Sequence, residues 1–395
     1  MDAKEIINLE ANYVLQTYVR PEIVFTHGEG AALFDSTGRR YLDFSSGIAV
    51  TALGHSDAQW VSAVCDQAGK LVHISNLYHT VPHAQLAQRL VENSFANKVY
   101  FCNSGAEANE AAFKFARKFA REISGNGKKT RIVAFSGGFH GRTMGSLAAT
   151  YKAHYREPFE PLMPGVVFAP FNDVKAAVKV IDDDVCAVIV EPVQGEGGVR
   201  PARAEFLQAL RSLCDDHQAL LIFDEVQCGL GRTGTLWAHE VLEVTPDIMT
   251  LAKPLAGGLP IGATLVTQEV ADVMQPGDHA STFAAGPLVC AAALVVFDRL
   301  NGPQFLANVR AQAEYLKERL NTLRSDLIVE VRSAGLLVGI EMRTPVAPLI
   351  AAAREKGLLV INAGENVLRL APPLIISPEE IDLAVSILQD VLDTM

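Results

Sequence analysis

Several features are scarce in this 395-residue sequence, and each scarcity excludes a class of protein. Cysteine occurs only six times, at positions 65, 102, 186, 214, 228 and 290, and no two of these form a C-x-x-C pair. Several lie in apolar runs, as buried reduced thiols do, so the spacing argues against a disulfide framework or a zinc site. Residues 1–5 mix charges where a secretory signal needs an apolar block. We therefore expect a cytoplasmic protein without a bound metal.

Basic charge and long apolar runs are scarce as well. Lys and Arg total 34 against 45 Asp and Glu, which gives a formal net charge of −11. Such a chain offers little attraction to nucleic-acid phosphates or to an anionic membrane. The longest nearly uncharged apolar stretch, residues 284–297, is shorter than the ~20 residues that span a bilayer. Because 49% of the residues are hydrophobic, a large core can form, and an enzyme acting on small molecules becomes the leading class.

Short apolar runs alternate with helical patterns in the middle of the chain. The runs cover residues 99–101, 132–135, 187–190 and 220–223. Each is too short for a helix and is uniformly apolar, which is typical of strands buried on both faces in parallel α/β sheets. Helical periodicity over residues 104–121, 204–217 and 305–324 completes the pattern.

The strand–helix alternation weakens after about residue 300, where short strands around residues 328–331 and 337–342 precede a final helix from Pro378. This change predicts a large α/β domain with a mainly parallel sheet over residues 45–290. Residues 1–44 and 291–395 would form a smaller α+β domain.

Ligands bind at the carboxyl ends of the strands in open parallel sheets, so the residues after each predicted strand are candidates. Ser104, Gly105 and Ala106 form a small-residue turn into a helix, whose free N–H groups suit a phosphate, although an ordinary capped helix start has the same pattern. Phe139 and Arg142 lie on a glycine-rich loop and suit a stacked ring and a carboxylate. A packed phenylalanine and a surface arginine are the alternative.

Charged residues at the ends of the later strands add to this pattern. Glu191 and Glu196 lie on a constrained loop, where acids serve either a site or solubility. Asp224 ends an apolar run, and a buried carboxylate needs a cationic ring nitrogen, a metal or an arginine as its partner. Lys253 follows the apolar residues 248–252; desolvation would lower its pKa and make it a competent Schiff-base amine. A snorkelling lysine at a strand end is the alternative.

These parts together fit one cofactor. A phosphate cradle, a stacking aromatic ring, a carboxylate for a pyridine nitrogen and an imine-forming lysine are what pyridoxal 5′-phosphate (PLP) requires. The carboxylate keeps the ring nitrogen protonated, and the cationic ring accepts the electron pair released at the substrate carbon.

The sequence resembles the class III, ω-type aminotransferases of fold-type I, and within them the acetylornithine aminotransferase branch. The resemblance runs from about residue 20 to residue 373. It is carried by residues 41–44, 47–50, 53–55, 103–110, 139–143, 191–197, 224–227, 229 and 231–234 and by Lys253.

The resemblance implies a role for each cofactor residue. Lys253 would form the Schiff base and move the proton, and Asp224 would pair with the pyridine nitrogen. Thr282 would reach the phosphate of a partner subunit, which implies a homodimer with shared active sites. The other expected cofactor residues are Gly105 and Ala106 at the phosphate, Phe139 and Val226 on the two ring faces, Gln227 at the phenolic oxygen, and Glu225 in the same block.

The resemblance also implies the substrate residues and the reaction. Arg142 would bind the α-carboxylate of an acetylated amino donor, with Ser281 nearby. Glu196 would engage Arg369 while the donor is bound, and would release it for the α-carboxylate of 2-oxoglutarate, a task that suits a bidentate guanidinium.

The expected reaction is ping-pong transamination of N2-acetylornithine with 2-oxoglutarate in arginine biosynthesis, giving N-acetylglutamate 5-semialdehyde and glutamate. Ornithine, succinylornithine and 4-aminobutyrate aminotransferases are alternatives within the family. A PLP aminomutase, which needs no external acceptor, and a non-catalytic binding homologue are further alternatives.

Overall fold

The computed structural model describes residues 1–125 and 127–395. Its strands are β1 Phe25–Glu29, β2 Ala32–Asp35, β3 Arg40–Asp43, β4 Lys98–Cys102, β5 Arg131–Phe135, β6 Val166–Ala169, β7 Val185–Val190, β8 Val193–Gln194, β9 Arg200–Pro201, β10 Leu220–Asp224, β11 Ile248–Leu251, β12 Gly262–Val266, β13 Ile328–Ala334, β14 Leu337–Met342, β15 Leu358–Leu359, β16 Ile361–Asn362 and β17 Val367–Leu370.

The helices connect these strands and cover their faces. They are α1 Ala3–Tyr13, α2 Ser46–Ala49, α3 Ala58–Ala68, α4 Val81–Glu92, α5 Gly105–Ser124, α6 Met144–Ala148, α7 Ala153–Arg156, α8 Val174–Val180, α9 Ala204–Asp216, α10 Gln268–Asp272, α11 Pro287–Leu300, α12 Pro303–Leu320, α13 Ala347–Glu355 and α14 Pro378–Leu392. Two 3₁₀ segments, Glu157–Phe159 and Ala238–Leu242, complete the set.

A seven-stranded sheet in the order β4-β12-β11-β10-β7-β5-β6 forms the centre of the fold. The pairs β11–β10, β10–β7, β7–β5 and β5–β6 are parallel, while β12 is antiparallel to both of its neighbours. Every residue of β7 and β10 is buried, because α5 packs on one face of the sheet and α9 on the other. The predicted α/β class with a mainly parallel sheet is confirmed.

The parallel strands bring the candidate residues to one edge of this sheet. Asp224 is the last residue of β10, and Lys253 lies two residues after β11. Glu191 directly follows β7, and α5 begins three residues after β4. Residues far apart in sequence therefore meet where the strands end.

Among the described residues, three smaller sheets lie outside the central one, in the orders β1-β2-β3-β15, β13-β14-β17-β16 and β8-β9. In the first, β15 pairs in parallel with β3, so an amino-terminal hairpin gains a strand from the last part of the chain. The predicted small domain requires such a connection. Its predicted boundary at residue 291 falls inside α11, which packs on α3 and α4, and the division into domains stays a prediction.

The segment α2, which leads from the amino-terminal sheet to the carboxyl edge of the central sheet, is a left-handed turn and not a regular α-helix. Ser46, Gly47, Ile48 and Ala49 have φ values of 41°, 63°, 66° and 62°. Glycine adopts this conformation freely, but it costs each L-residue with a side chain about 1–2 kcal/mol. The next residue, Val50, lines the cavity described below, so a strained turn determines part of that wall.

The carboxylate of Asp43 holds this turn in place. Its Oδ1 accepts hydrogen bonds from the backbone N–H and the hydroxyl of Ser45, at 2.9 and 2.7 Å, and from the N–H of Ser46 at 2.8 Å. Its Oδ2 lies 2.9 Å from Nε2 of His55. Burial opposes ionisation of Asp43, but these partners outweigh it and lower its pKa.

We predict that Asp43→Ala lowers the free energy of unfolding by about 1–3 kcal/mol, because buried N–H groups lose their acceptor while the turn keeps its strain. Asp43→Asn keeps one acceptor oxygen and is the matched control, with a smaller loss. Since the folded pKa lies below the ordinary value of 3.8, the contribution of Asp43 persists above that pH and disappears as the pH falls through the folded value. Denaturant unfolding at several pH values measures both effects; equal stability of wild type and Asp43→Ala would contradict the assignment.

Candidate active site

A cavity of about 430 Å³ opens at the carboxyl edge of the central sheet. This volume lies within the usual range for sites that bind small molecules. Most of the residues predicted from the sequence line it: Gly105, Ala106, Phe139, Arg142, Glu196, Asp224, Val226, Gln227 and Lys253.

The carboxylate of Asp224 is almost completely buried and is held by donors from three parts of the chain. Its Oδ2 accepts a hydrogen bond from Nδ2 of Asn109 at 2.8 Å and lies 2.8 Å from Nδ1 of His140. Its Oδ1 accepts from the N–H of Val226 at 3.0 Å. Asn109 is itself oriented by the hydroxyl of Thr250, which donates to its Oδ1 at 2.8 Å. The carboxylate therefore has a fixed position in the cavity wall.

Lys253 brings an amine to the same cavity. Within residues 1–125 and 127–395, no group accepts a hydrogen bond from its Nζ. Burial lowers the pKa of Lys253, and the positive charge of Arg369 lowers it further, against the opposing effect of Glu196 and Asp224. A lysine with these surroundings has the neutral form within reach, as a nucleophilic amine requires.

The first turn of α5 has free N–H groups where the sequence predicts a phosphate cradle. The helix begins at Gly105, so the N–H groups of Gly105 and Ala106 have no partner within the helix and carry the positive end of its dipole. A Cβ on Gly105 would lie 2.7 Å from Cγ1 of Val226. Only glycine lets the helix start approach Val226 this closely, and the free N–H groups remain accessible to an anion.

Glu191 is a second buried carboxylate in the cavity wall. It accepts hydrogen bonds from the N–H of Phe139 at 2.9 Å and from the N–H of Gly195 at 3.1 Å. Burial raises its pKa, and the nearby charge of Asp224 raises it too, while His140 opposes the increase. Glu191 thus connects the loop that carries Phe139 to the loop that carries Glu196.

Glu196 and Arg369 form an ion pair beside the cavity. Nη2 of Arg369 lies 2.6 Å from Oε1 of Glu196, and Nη1 donates to Oε1 of Gln227 at 3.1 Å. Burial opposes ionisation of Glu196, but Arg369 outweighs it and lowers the pKa of this carboxyl. Among the described residues, Nε of Arg369 is buried without an acceptor, so this guanidinium has unused donor capacity.

Arg142 is in a different state from Arg369. It is exposed on the cavity rim, with its Cζ 3.6 Å from the ring centroid of Tyr155 and 5.6 Å from that of Phe139. In the part of the chain that the structure describes, no carboxylate forms an ion pair with Arg142. The site therefore presents one unpaired guanidinium and one paired guanidinium.

Three other predicted residues do not line this cavity. The carboxylate of Glu225 accepts hydrogen bonds from the N–H groups of Ala238 and His239, at 2.6 and 2.9 Å, and so points away from it. Ser281 accepts a hydrogen bond from Nδ2 of Asn103 at 2.9 Å, while Thr282 is exposed. Thr282 is therefore accessible to another molecule.

Asn109 and His140 hold Asp224, and the sequence assigns a role to neither of them. Asn109 lies on the buried face of α5 beside Ala108 and Ala112, where a polar side chain requires a partner. The polar residue on an apolar helix face is the only feature of the sequence that indicates a role for Asn109. The residue pattern does not reveal that its partner is Asp224. His140 lies inside a block that carries the family resemblance, without any signal of its own.

These groups fit the cofactor expected from the sequence. Free N–H groups at a helix start suit a phosphate, the fixed carboxylate of Asp224 suits a protonated ring nitrogen, and the amine of Lys253 suits an aldehyde. Among residues 1–125 and 127–395, no group of three or more His, Cys, Asp or Glu side chains is arranged to hold a metal ion. No helix of the described chain is long and apolar enough to cross a membrane.

Comparison with known proteins agrees with this geometry. The class-III aminotransferase family model matches residues 13–392. A mitochondrial acetylornithine aminotransferase from Alnus glutinosa is 54% identical over 399 residues, which cover 100% of this chain and 88% of that protein. A succinylornithine transaminase from Salmonella typhimurium is 49% identical over a match that covers 93% of this chain and 92% of that protein.

A solved structure of ornithine aminotransferase from Toxoplasma gondii superposes with a TM-score of 0.95 at 30% identity, over 100% of this chain and 94% of that one. That structure has partial occupancy of PLP at its active site. The family match spans nearly the whole chain, and the two relatives match 93% and 100% of it. The chain belongs to the class-III aminotransferases.

Proposed function

We propose that this aminotransferase uses PLP to transfer the δ-amino group of N2-acetylornithine to 2-oxoglutarate, with N-acetylglutamate 5-semialdehyde and glutamate as the products. The setting that we predict is arginine biosynthesis in the cytoplasm. One observation carries the proposal: a single site with a reactive lysine has one unpaired arginine, Arg142, and one arginine paired with a carboxylate, Arg369. Two substrates whose α-carboxylates bind at different arginines would use these two states.

The chain's own groups supply the proton transfers. PLP, when bound, supplies an electrophilic carbonyl carbon and a cationic ring that accepts an electron pair. Asp224, fixed by Asn109 and His140, keeps the proton on the ring nitrogen. Because the pKa of Lys253 is lowered, its neutral amine would take a proton from the substrate carbon that bears the transferred amine and deliver it to the cofactor carbon within the same half-reaction. In the second half-reaction it would move a proton in the opposite direction, from the cofactor carbon to the carbon of 2-oxoglutarate that receives the amine.

The two arginines distinguish the substrates. In the first half-reaction, the donor's α-carboxylate binds Arg142, and Glu196 neutralises Arg369, so that the uncharged part of the donor meets no unpaired charge. In the second, the α-carboxylate of 2-oxoglutarate takes the place of Glu196 on Arg369. A planar guanidinium binds either carboxylate in a bidentate manner.

Succinylornithine is the second candidate donor. It has the same α-carboxylate for Arg142 and the same δ-amine, and the relative from Salmonella typhimurium is named for it. The two donors differ only in the acyl group, so the cavity wall beyond Arg142 determines the preference.

A second copy of the chain completes the site in this proposal. Apolar side chains are exposed around residues 71–81, among them Leu77 at 85% and Tyr78 at 64%, and Phe283 is 71% exposed beside them. Phe283 and His73 lie with their ring centroids 5.5 Å apart, so these segments form one surface. Such a patch is typical of a protein–protein interface, and Thr282 within it would reach the phosphate in the partner's cavity.

The donor is tested first by a half-reaction. We expect N2-acetylornithine alone to remove the visible absorption of the PLP-loaded enzyme, and 2-oxoglutarate to restore it. Lys253→Ala is the control and should lack multiple turnover. An unchanged spectrum would reject this donor, and the same assay with succinylornithine, ornithine and 4-aminobutyrate would rank the others. Turnover without 2-oxoglutarate would identify an aminomutase instead.

The different roles proposed for Arg142 and Arg369 give a second prediction. Arg142→Ala should raise the donor's KM by roughly tenfold or more, since it removes a charge-assisted bidentate contact. The acceptor's KM should rise less, because Arg369 still anchors 2-oxoglutarate. Steady-state kinetics with each substrate varied in turn measures both KM values. Equal increases would refute the separate roles of Arg142 and Arg369.

The shared active site gives a third prediction. Lys253→Ala and Thr282→Ala homodimers should both have low activity. When the two variants are unfolded together and refolded as hybrids, one site in each hybrid has an intact Lys253 and an intact Thr282 from the neighbour. We expect activity to recover toward half that of wild type per hybrid dimer. Absence of recovery in a hybrid of confirmed dimeric mass would contradict the contribution of Thr282 to its neighbour.

A further inference from the structure

The guanidinium of Arg142 lacks the contacts that normally hold such a group in place. Its neighbours on the backbone are fixed: Glu110 accepts hydrogen bonds from the hydroxyl of Thr143 at 2.6 Å and from the N–H groups of Gly145 and Ser146 at 2.8 and 3.1 Å. The Arg142 side chain, in contrast, is exposed and has no ion pair within the described residues. An arginine side chain in this state has considerable rotamer freedom, which a ligand must remove on binding.

The ring of Tyr155 provides the contact that the side chain otherwise lacks. The Cζ of Arg142 lies 3.6 Å from its centroid, much closer than the 5.6 Å to the centroid of Phe139. Stacking on a ring leaves the N–H groups along the edges of the guanidinium free. The carboxylate-binding edge therefore stays available while the side chain is held.

The position of the Tyr155 ring follows from one ring contact and from the attachment of the helix that carries it. Tyr155 lies in α7, and the His154 ring packs against it with centroids 4.0 Å apart. The next residue, Arg156, stacks on Phe168 of β6 at 4.8 Å and donates a hydrogen bond to the carbonyl of Tyr151 at 3.3 Å. The short helix is thus attached to the central sheet, and the ring has a defined position relative to the cavity.

We infer that Tyr155 is a positioning residue that holds the Arg142 guanidinium for the α-carboxylate of the amino donor. This inference rests on the role proposed above for Arg142. The aromatic face, and not the hydroxyl, performs this task, because the contact is between the guanidinium and the ring. Tyr155 thereby favours donors that carry the carboxylate.

Two substitutions at Tyr155 distinguish an effect of its aromatic face from an effect of apolar packing alone. Tyr155→Leu keeps an apolar side chain but has no aromatic face, whereas Tyr155→Phe keeps the face and lacks only the hydroxyl. We expect Tyr155→Leu to raise the donor's KM roughly three- to tenfold, with kcat little changed and a smaller effect on the acceptor, 2-oxoglutarate. Tyr155→Phe should resemble wild type. Equal KM values for the two variants, or equal effects on the two substrates, would overturn the inference.

The same substitutions in an Arg142→Ala background complete a double-mutant cycle. If Tyr155 acts through Arg142, Tyr155→Leu should cause no further rise of the donor's KM when the guanidinium is absent. A rise of the same size in both backgrounds would show that Tyr155 acts on its own and would overturn the inference. Arg142→Ala alone tests the proposed function separately, because a normal KM for the donor in that variant would reject the role of Arg142 whatever Tyr155 does.

Discussion

A carboxylate removed from water must have donors of its own, and the neighbourhood of Asp224 is organised by this requirement. Asn109 comes from α5, His140 from the loop after β5, and the N–H of Val226 from the turn that follows β10. Each donor fixes the element that carries it. The start of α5, where we propose that phosphate binds, and the loop with Phe139 and Arg142 are consequently held at set positions around one charge.

The other charged groups of the cavity act on the amine of Lys253 in opposite directions. Burial and Arg369 lower the pKa of Lys253, while the carboxylates of Glu196, Asp224 and Glu191 act in the opposite direction. The amine thus lies close to a positive and a negative group, Arg369 and Glu196, that are paired with each other. All of these groups together determine the pKa of Lys253, and burial makes the largest contribution to lowering it.

The sequence predicted those features that depend on local pattern. Residues 187–190 and 220–223 indicate strands because they are apolar on both faces, and Asp224 and Lys253 are candidates because a charge ends each apolar run. Strand β12 was not predicted, since its antiparallel place between β4 and β11 follows from long-range pairing. Glu225 was grouped with Asp224 by adjacency, yet neighbouring side chains at a strand end point in opposite directions, and its carboxylate binds the backbone of residues 238 and 239.

In the proposed function, the different burial of the two arginines would allow one cavity to accept two kinds of substrate. Arg369 is 2% exposed, and a charge so deeply buried is costly when it has no partner; either Glu196 or a substrate carboxylate can be that partner. Arg142 is in contact with water and needs no counterion, so it can remain unpaired until a carboxylate binds. Because its side chain is free to move, the guanidinium must instead be held in the orientation that binds the carboxylate. A buried guanidinium is therefore suited to exchanging the carboxylate of Glu196 for that of a substrate. An exposed guanidinium stacked on a ring is suited to binding a substrate carboxylate without displacing another group.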